Sequence, residues 1–103
     1  MPQQLPFTRD QVLETLRDNL RDLREKYGVR SLTLFGSLAR GEATDTSDVD
    51  LLVEFERPTG YFGLVRLQIF LQELLGREVD LATPASLRPE MRRRVEEEAV
   101  LVA

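Results

Sequence analysis

The sequence contains no cysteine and no histidine. That excludes disulfide scaffolding, zinc sites of the usual ligand types, haem ligation by His or Cys, and catalytic triads or dyads that need an imidazole. Any bound metal must be held by oxygen, which points to Mg2+, Ca2+ or Mn2+. No apolar run approaches membrane-spanning length and the first residues lack a signal-peptide pattern, so no membrane contact and a cytoplasmic location are expected. Positive charge is short as well. Fourteen basic residues against eighteen acidic ones leave a formal net charge of −4, so direct nucleic-acid binding is not expected. What is present is a chain of 103 residues, 42% of them hydrophobic. That suffices for one folded core and leaves no room for a second.

Residues 1–7, with two prolines and two glutamines, read as a flexible tail before one domain spanning 8–103. Thr8 and Gln11 form a capping-box pattern, with Phe7 and Val12 placed as a hydrophobic staple. Val12, Leu13, Leu16, Leu20, Leu23 and Tyr27 then step by three and four, predicting one amphipathic helix that ends at Gly28. Ser31–Phe35 reads as a strand, 37–40 as a helical turn and Val49–Phe55 as a second strand. On that second strand Val49, Leu51, Val53 and Phe55 share one face, and Asp48, Asp50, Leu52 and Glu54 share the other. Tyr61–Leu75 is a helix with two apolar sectors: Leu67, Phe70, Leu71 and Leu74, and separately Phe62, Val65 and Ile69. One sector is expected on the sheet and the other on a partner. Glu78–Ala82 is a third strand, Pro89 opens a last helix to about Glu98, and 99–103 reads as a short final strand. The expected class is mixed α/β (α+β type), with helices flanking a small sheet.

The chemistry concentrates between Phe35 and Val53. Gly36 and Gly41 have the separation of the two glycines of a phosphate-binding Walker loop, but Glu42 and Ala43 replace its Lys and Ser/Thr. A calcium loop starting at Asp45 fails because Val49 falls on a ligand position and Asp50 where glycine is needed. A strand-borne metal site facing a phosphate-binding turn fits. Asp48 and Asp50 project from one face of a strand, roughly 7 Å apart at the backbone, close enough for their carboxylates to share a pair of Mg2+ ions. Gly36 and Ser37 follow a strand and open a short helix, where backbone N–H groups and a hydroxyl face an anion. Taken singly, each feature also reads as an ordinary turn. Asp50 is the exception, an acidic residue interrupting Val49, Leu51, Leu52 and Val53, where a charge needs a partner.

Gly36-Ser37, ten residues, then Asp48-Val49-Asp50 resembles the signature of the DNA polymerase β-like nucleotidyltransferase superfamily. The fuller reading Gly-Ser-Leu-Ala-Arg-Gly-Glu-Ala…Ser-Asp-Val-Asp-Leu-Leu-Val resembles its minimal members. The resemblance implies a polymerase β palm-like fold and transfer of AMP from ATP to a hydroxyl, an EC 2.7.7 type reaction that uses Mg2+, with two ions expected. It implies Asp48 and Asp50 as metal-binding catalytic carboxylates, Asp80 as the third, and Gly36 and Ser37 as the triphosphate turn. Glu78 lies on the same face as Asp80; Asp80 is preferred because it sits between Val79 and Leu81, inside the strand. Arg40 could reach a phosphate or pair with Glu42 or Asp45. Stand-alone minimal members resemble the antitoxin half of a toxin–antitoxin pair. In such a pair the enzyme adds AMP to a tyrosine of a HEPN-type toxin, with which it forms a hetero-oligomer. Two other roles fit the same motif: a non-catalytic antitoxin that neutralises by binding, and the catalytic subunit of a two-chain enzyme modifying a small molecule such as an antibiotic.

Overall fold

The structure, a computed structural model, describes residues 8–42 and 48–103. The expected Phe7 staple, and Asp45 as a partner of Arg40, therefore lie outside the described residues. Thr8 caps α1 (Arg9–Asp18) through the predicted box: the Gln11 N–H donates to Thr8 Oγ1 at 3.2 Å and the Thr8 N–H to Gln11 Oε1 at 3.3 Å. The expected single helix is two. α1 stops at Asn19, whose side-chain amide donates to the Thr15 carbonyl at 2.8 Å, and α2 (Leu20–Tyr27) follows at once. A short amide side chain that bonds the preceding turn competes with helix propagation. The interruption is one residue wide, so Val12, Leu13, Leu16 and Leu23 all stay buried. Gly28 closes α2 in the left-handed conformation, φ 68°.

β1 (Val29–Phe35) starts two residues earlier than the sequence pattern indicated, with a register irregularity between Val29 and Ser31. It runs into α3 (Gly36–Ala39), and β2 covers Val49–Phe55 as expected. α4 (Gly60–Leu75) returns the chain to β3 (Val79–Ala82). A single 3-10 turn (Pro84–Ser86), α5 (Pro89–Glu98) and β4 (Val100–Leu101) complete the order. The sheet runs β3-β2-β1-β4, with β2 and β3 parallel and the other pairs antiparallel. A parallel pair requires a crossover, and α4 is that crossover.

The sheet has two unlike faces. Leu32, Leu34, Val49, Leu51, Val53 and Val79 point into the core, where Leu16, Leu23, Leu67, Leu71 and Leu75 meet them from the helices. Alternation puts Thr33, Phe35, Asp50, Leu52 and Asp80 on the other face. α5 covers part of that second face, with Val95 and Leu52 lining one cleft. The odd wheel of α4 also has a local reason. Gln68 Nε2 donates to the Val79 carbonyl at 2.8 Å, and the Val79 N–H donates to Gln72 Oε1 at 3.2 Å. Two glutamines inside an apolar helix thus satisfy backbone groups of the edge strand β3.

Candidate active site

At the C-terminal end of β1, Phe35 is extended and Gly36 turns to φ +79°. Phe35 pairs with Asp50 across the β1–β2 ladder, which brings the Asp50 carboxylate against Gly36. A Cβ on Gly36 would collide with Asp50 Oδ2. Glycine is therefore required twice, for the positive φ and for the close approach. Gly36→Ala is expected to displace the Asp50 carboxyl and to cost about 1–2 kcal/mol from the positive φ alone. Thermal melting checks the stability loss, and calorimetric titration with ATP checks the damage to the site.

The β2–β3 register sets Asp50 directly beside Asp80. Glu78 precedes the strand, and its carbonyl accepts the Val49 N–H at 2.9 Å. Asp80, preferred over Glu78 from the sequence, is the one in register with Asp50. Asp50 is half-buried, whereas Asp48 and Asp80 are exposed. Burial pushes the Asp50 carboxyl up to about 6. The negative charges of Asp80 and Asp48 and a carboxyl hydrogen bond to Asp80 add to the rise, and Arg40 opposes it. Among the described residues no three acidic side chains are already gathered about one point; the adjacent pair is Asp50 and Asp80.

A cavity of about 330 Å³ opens beside Asp50. Phe35, Gly36, Ser37, Arg40 and Asp50 line it from the sheet and α3, and Met91, Arg94 and Glu98 line it from α5. Arg40 holds two carboxylates, Glu42 and Glu98, each at 2.9 Å. Both hydrogen bonds push its proton affinity further above the ordinary arginine range. The Glu98 pair ties the end of α3 to the last turn of α5 across 58 residues of sequence. Sequence reading singled out none of the α5 residues. Their only signal was the spacing of Met91, Arg94 and Glu98 at three and four, which places them on one helical face.

Residues 15–102 match the family model described as a nucleotidyltransferase domain. The chain belongs to the nucleotidyltransferase family. It is 39% identical over 96 residues to the protein adenylyltransferase MntA of Thermococcus cleftensis, an alignment covering 93% of this chain and 97% of that protein. A solved structure assigned as a minimal nucleotidyltransferase superposes with a TM-score of 0.71 at 41% identity, covering 85% of this chain and 93% of the other. The MNT antitoxin fold recurs at greater distance. A complex of tri-AMPylated Shewanella oneidensis HEPN toxin with MNT antitoxin matches with a TM-score of 0.58 at 20% identity, over 92% of this chain and 68% of that one. At that identity the likeness is one of fold. The family makes this chain an enzyme of nucleotidyl transfer, and the expected mixed α/β class is the one observed.

Proposed function

We propose that the chain transfers AMP from ATP to a hydroxyl, a tyrosine in the leading case, of a HEPN-type protein, and acts on that protein as its antitoxin. The observation that carries the reading is Asp50, pressed against Gly36 at the cavity wall and set in register beside Asp80 on the sheet face opposite the core. The AMPylated toxin of the Shewanella complex and the adenylyltransferase relative support the acceptor class and the donor.

In the transfer, the acceptor oxygen bonds to the α-phosphorus of ATP, the bond to the β-phosphate oxygen breaks, and pyrophosphate leaves. Asp80 takes the acceptor proton on its carboxylate. It suits the task because it is exposed on an edge strand, where a protein-borne hydroxyl can reach it. Gly36 and Ser37 let the triphosphate approach the backbone closely. The donor set fits Mg2+: the candidate ligands are all oxygen, and Asp50 is a carboxylate raised first by burial and then by the negative charges of Asp80 and Asp48, both of which a cation would offset. Asp48, Asp50 and Asp80 would hold the ion. When bound, it supplies positive charge to the triphosphate and acidifies the attacking hydroxyl. The intact carboxylate set favours catalysis over neutralisation by binding alone.

Arg94 is proposed as the cation that meets the phosphates. It lines the cavity and, among the described residues, has no acidic partner, whereas Arg40 lines the same cavity with both of its partners in place. Arg94→Gln is expected to raise the KM for ATP about tenfold with little change in melting temperature. Arg40→Gln is expected to lower the melting temperature by untying α3 from α5. Pyrophosphate-release kinetics and scanning calorimetry on both variants separate the two roles. The function itself is tested by incubating the chain with ATP and the proposed HEPN-type partner. Mass spectrometry of that protein should then show added AMP.

A further inference from the structure

We propose a second working surface, at the end of the sheet away from the active site, which docks an acidic amphipathic segment of the protein that receives AMP. The inference rests on the protein-acceptor reading above. A groove of about 610 Å³ lies where α2 ends, β2 ends and α4 begins. Gly28, which precedes β1, and Glu56, which follows β2, both line it. The candidate active site lies at the opposite ends of those two seven-residue strands, so the surfaces are roughly 20 Å apart.

Four cations line the groove: Arg24, Lys26, Arg57 and Arg66, against Glu25 and Glu56. Lys26 pairs with Asp22 on its own helix. Among the described residues Arg24, Arg57 and Arg66 have no acidic partner. Arg66 is nonetheless held in place. It sits 5.8 Å above the centre of the Tyr27 ring, which stacks on Phe70 at 4.7 Å. At the groove wall Phe62 is 82% exposed, and the neighbouring Tyr61 is 75% exposed. Ile69, 50% exposed, lies two turns further along the same face of α4. This is the second apolar sector that the wheel of α4 predicts, and the domain's own core leaves Phe62 and Ile69 uncovered.

A cationic groove continued by an apolar stripe about 10 Å long fits a segment that carries both carboxylates and apolar anchors. Charge decides between occupants. A second copy of this chain meeting the same surface would bring one net-positive groove against another. A nucleic-acid strand would meet Glu25 and Glu56 inside the groove and would leave the stripe from Phe62 to Ile69 unused. An acidic amphipathic protein segment uses both features. Aromatic and arginine side chains at such a centre dominate binding, which the remote surface can supply without touching the reacting atoms.

The test measures affinity for the proposed HEPN-type partner, by calorimetric titration of the intact proteins. Phe62→Asp, and separately Arg57→Glu with Arg66→Glu, should each weaken binding at least about tenfold. ATP affinity should stay unchanged in both, which shows an intact fold and active site. Arg88→Glu, a single charge reversal outside the groove, should bind within about threefold of wild type. Wild-type affinity should fall with added salt, and the charge-reversed variant should lose most of that dependence. Wild-type affinity in both groove variants, or no binding by wild type, overturns the proposal. Capture of a 20-mer of oligouridine that these substitutions abolish reassigns the groove to nucleic acid. A wild-type dimer dissociated by Phe62→Asp reassigns it to self-association. Binding without AMP labelling of the partner overturns the transfer reading and leaves the docking surface supported.

Discussion

Asp50→Asn is expected to abolish AMP transfer and, without metal at neutral pH, to raise the melting temperature. The two effects share one cause. Asp50 is half-buried beside Asp80, with Asp48 near, and its carboxyl is pushed from the ordinary 3.8 to about 6. Well below pH 4 the group is protonated in both folded and unfolded chains and contributes nothing. Between pH 4 and 6 the unfolded chain ionises while the folded one holds its proton, so stability falls as pH rises through that window. Above pH 6 the full cost remains. Because Asp50 is partly reached by solvent, that cost is about 1–2 kcal/mol rather than the roughly 3 kcal/mol that the full shift would give. Asparagine removes it, and the melting temperature should rise by about 5 °C or more at pH 7.5 but not at about pH 3. The same substitution deletes a carboxylate from the set that would hold Mg2+ and should reduce labelling below detection. Scanning calorimetry at the two pH values, beside a labelling assay, checks both halves. A variant that is inactive and also less stable at pH 7.5 would assign Asp50 a structural role instead.

Asp80→Asn should cost about 10²–10⁴-fold in transfer rate, and Glu78→Gln less than about threefold. The contrast follows from register. Asp80 is paired with Asp50 in the parallel ladder, whereas Glu78 lies before the strand and contributes its carbonyl to the Val49 N–H. Asp80→Asn should retain much of its ATP affinity, because Gly36, Ser37 and Asp50 remain at the cavity, with Asp48 two residues from Asp50, and the loss falls on proton removal. Single-turnover rates with calorimetric ATP titrations on both variants check this. An inactive Glu78→Gln beside an active Asp80→Asn would reverse the choice between the two acidic residues.

Much of this arrangement was legible because it is written in local periods. Alternation in Val49–Phe55 gave β2 and the side of the strand on which Asp50 lies, and the capping box gave the start of α1. Pro89 and Glu98 bounded α5. What escaped depends on contacts between distant residues or on one side-chain bond. The break at Asn19 turns on an amide reaching back to Thr15, which leaves the apolar period intact on either side. The Arg40–Glu98 pair and the placing of Arg94 at the cavity require α5 to lie beside α3, and nothing within either segment encodes that. Asp80 could be preferred over Glu78 from strand position, but only the β2–β3 register puts it beside Asp50. The glutamines of α4 read as polar interruptions of an apolar wheel until β3 is in place to receive their hydrogen bonds.

The decisive measurement is a pair of parallel incubations of the chain with the proposed HEPN-type partner and Mg2+. One uses ATP labelled at the α-phosphate, the other ATP labelled at the γ-phosphate. Nucleotidyl transfer moves the α-phosphorus to the acceptor and releases the β- and γ-phosphates together as pyrophosphate. Label should therefore appear on the partner protein from the α-labelled nucleotide only, and Asp50→Asn should remove it. Label from the γ-position, or α-label transferred equally by Asp50→Asn, would contradict AMP transfer by this carboxylate site.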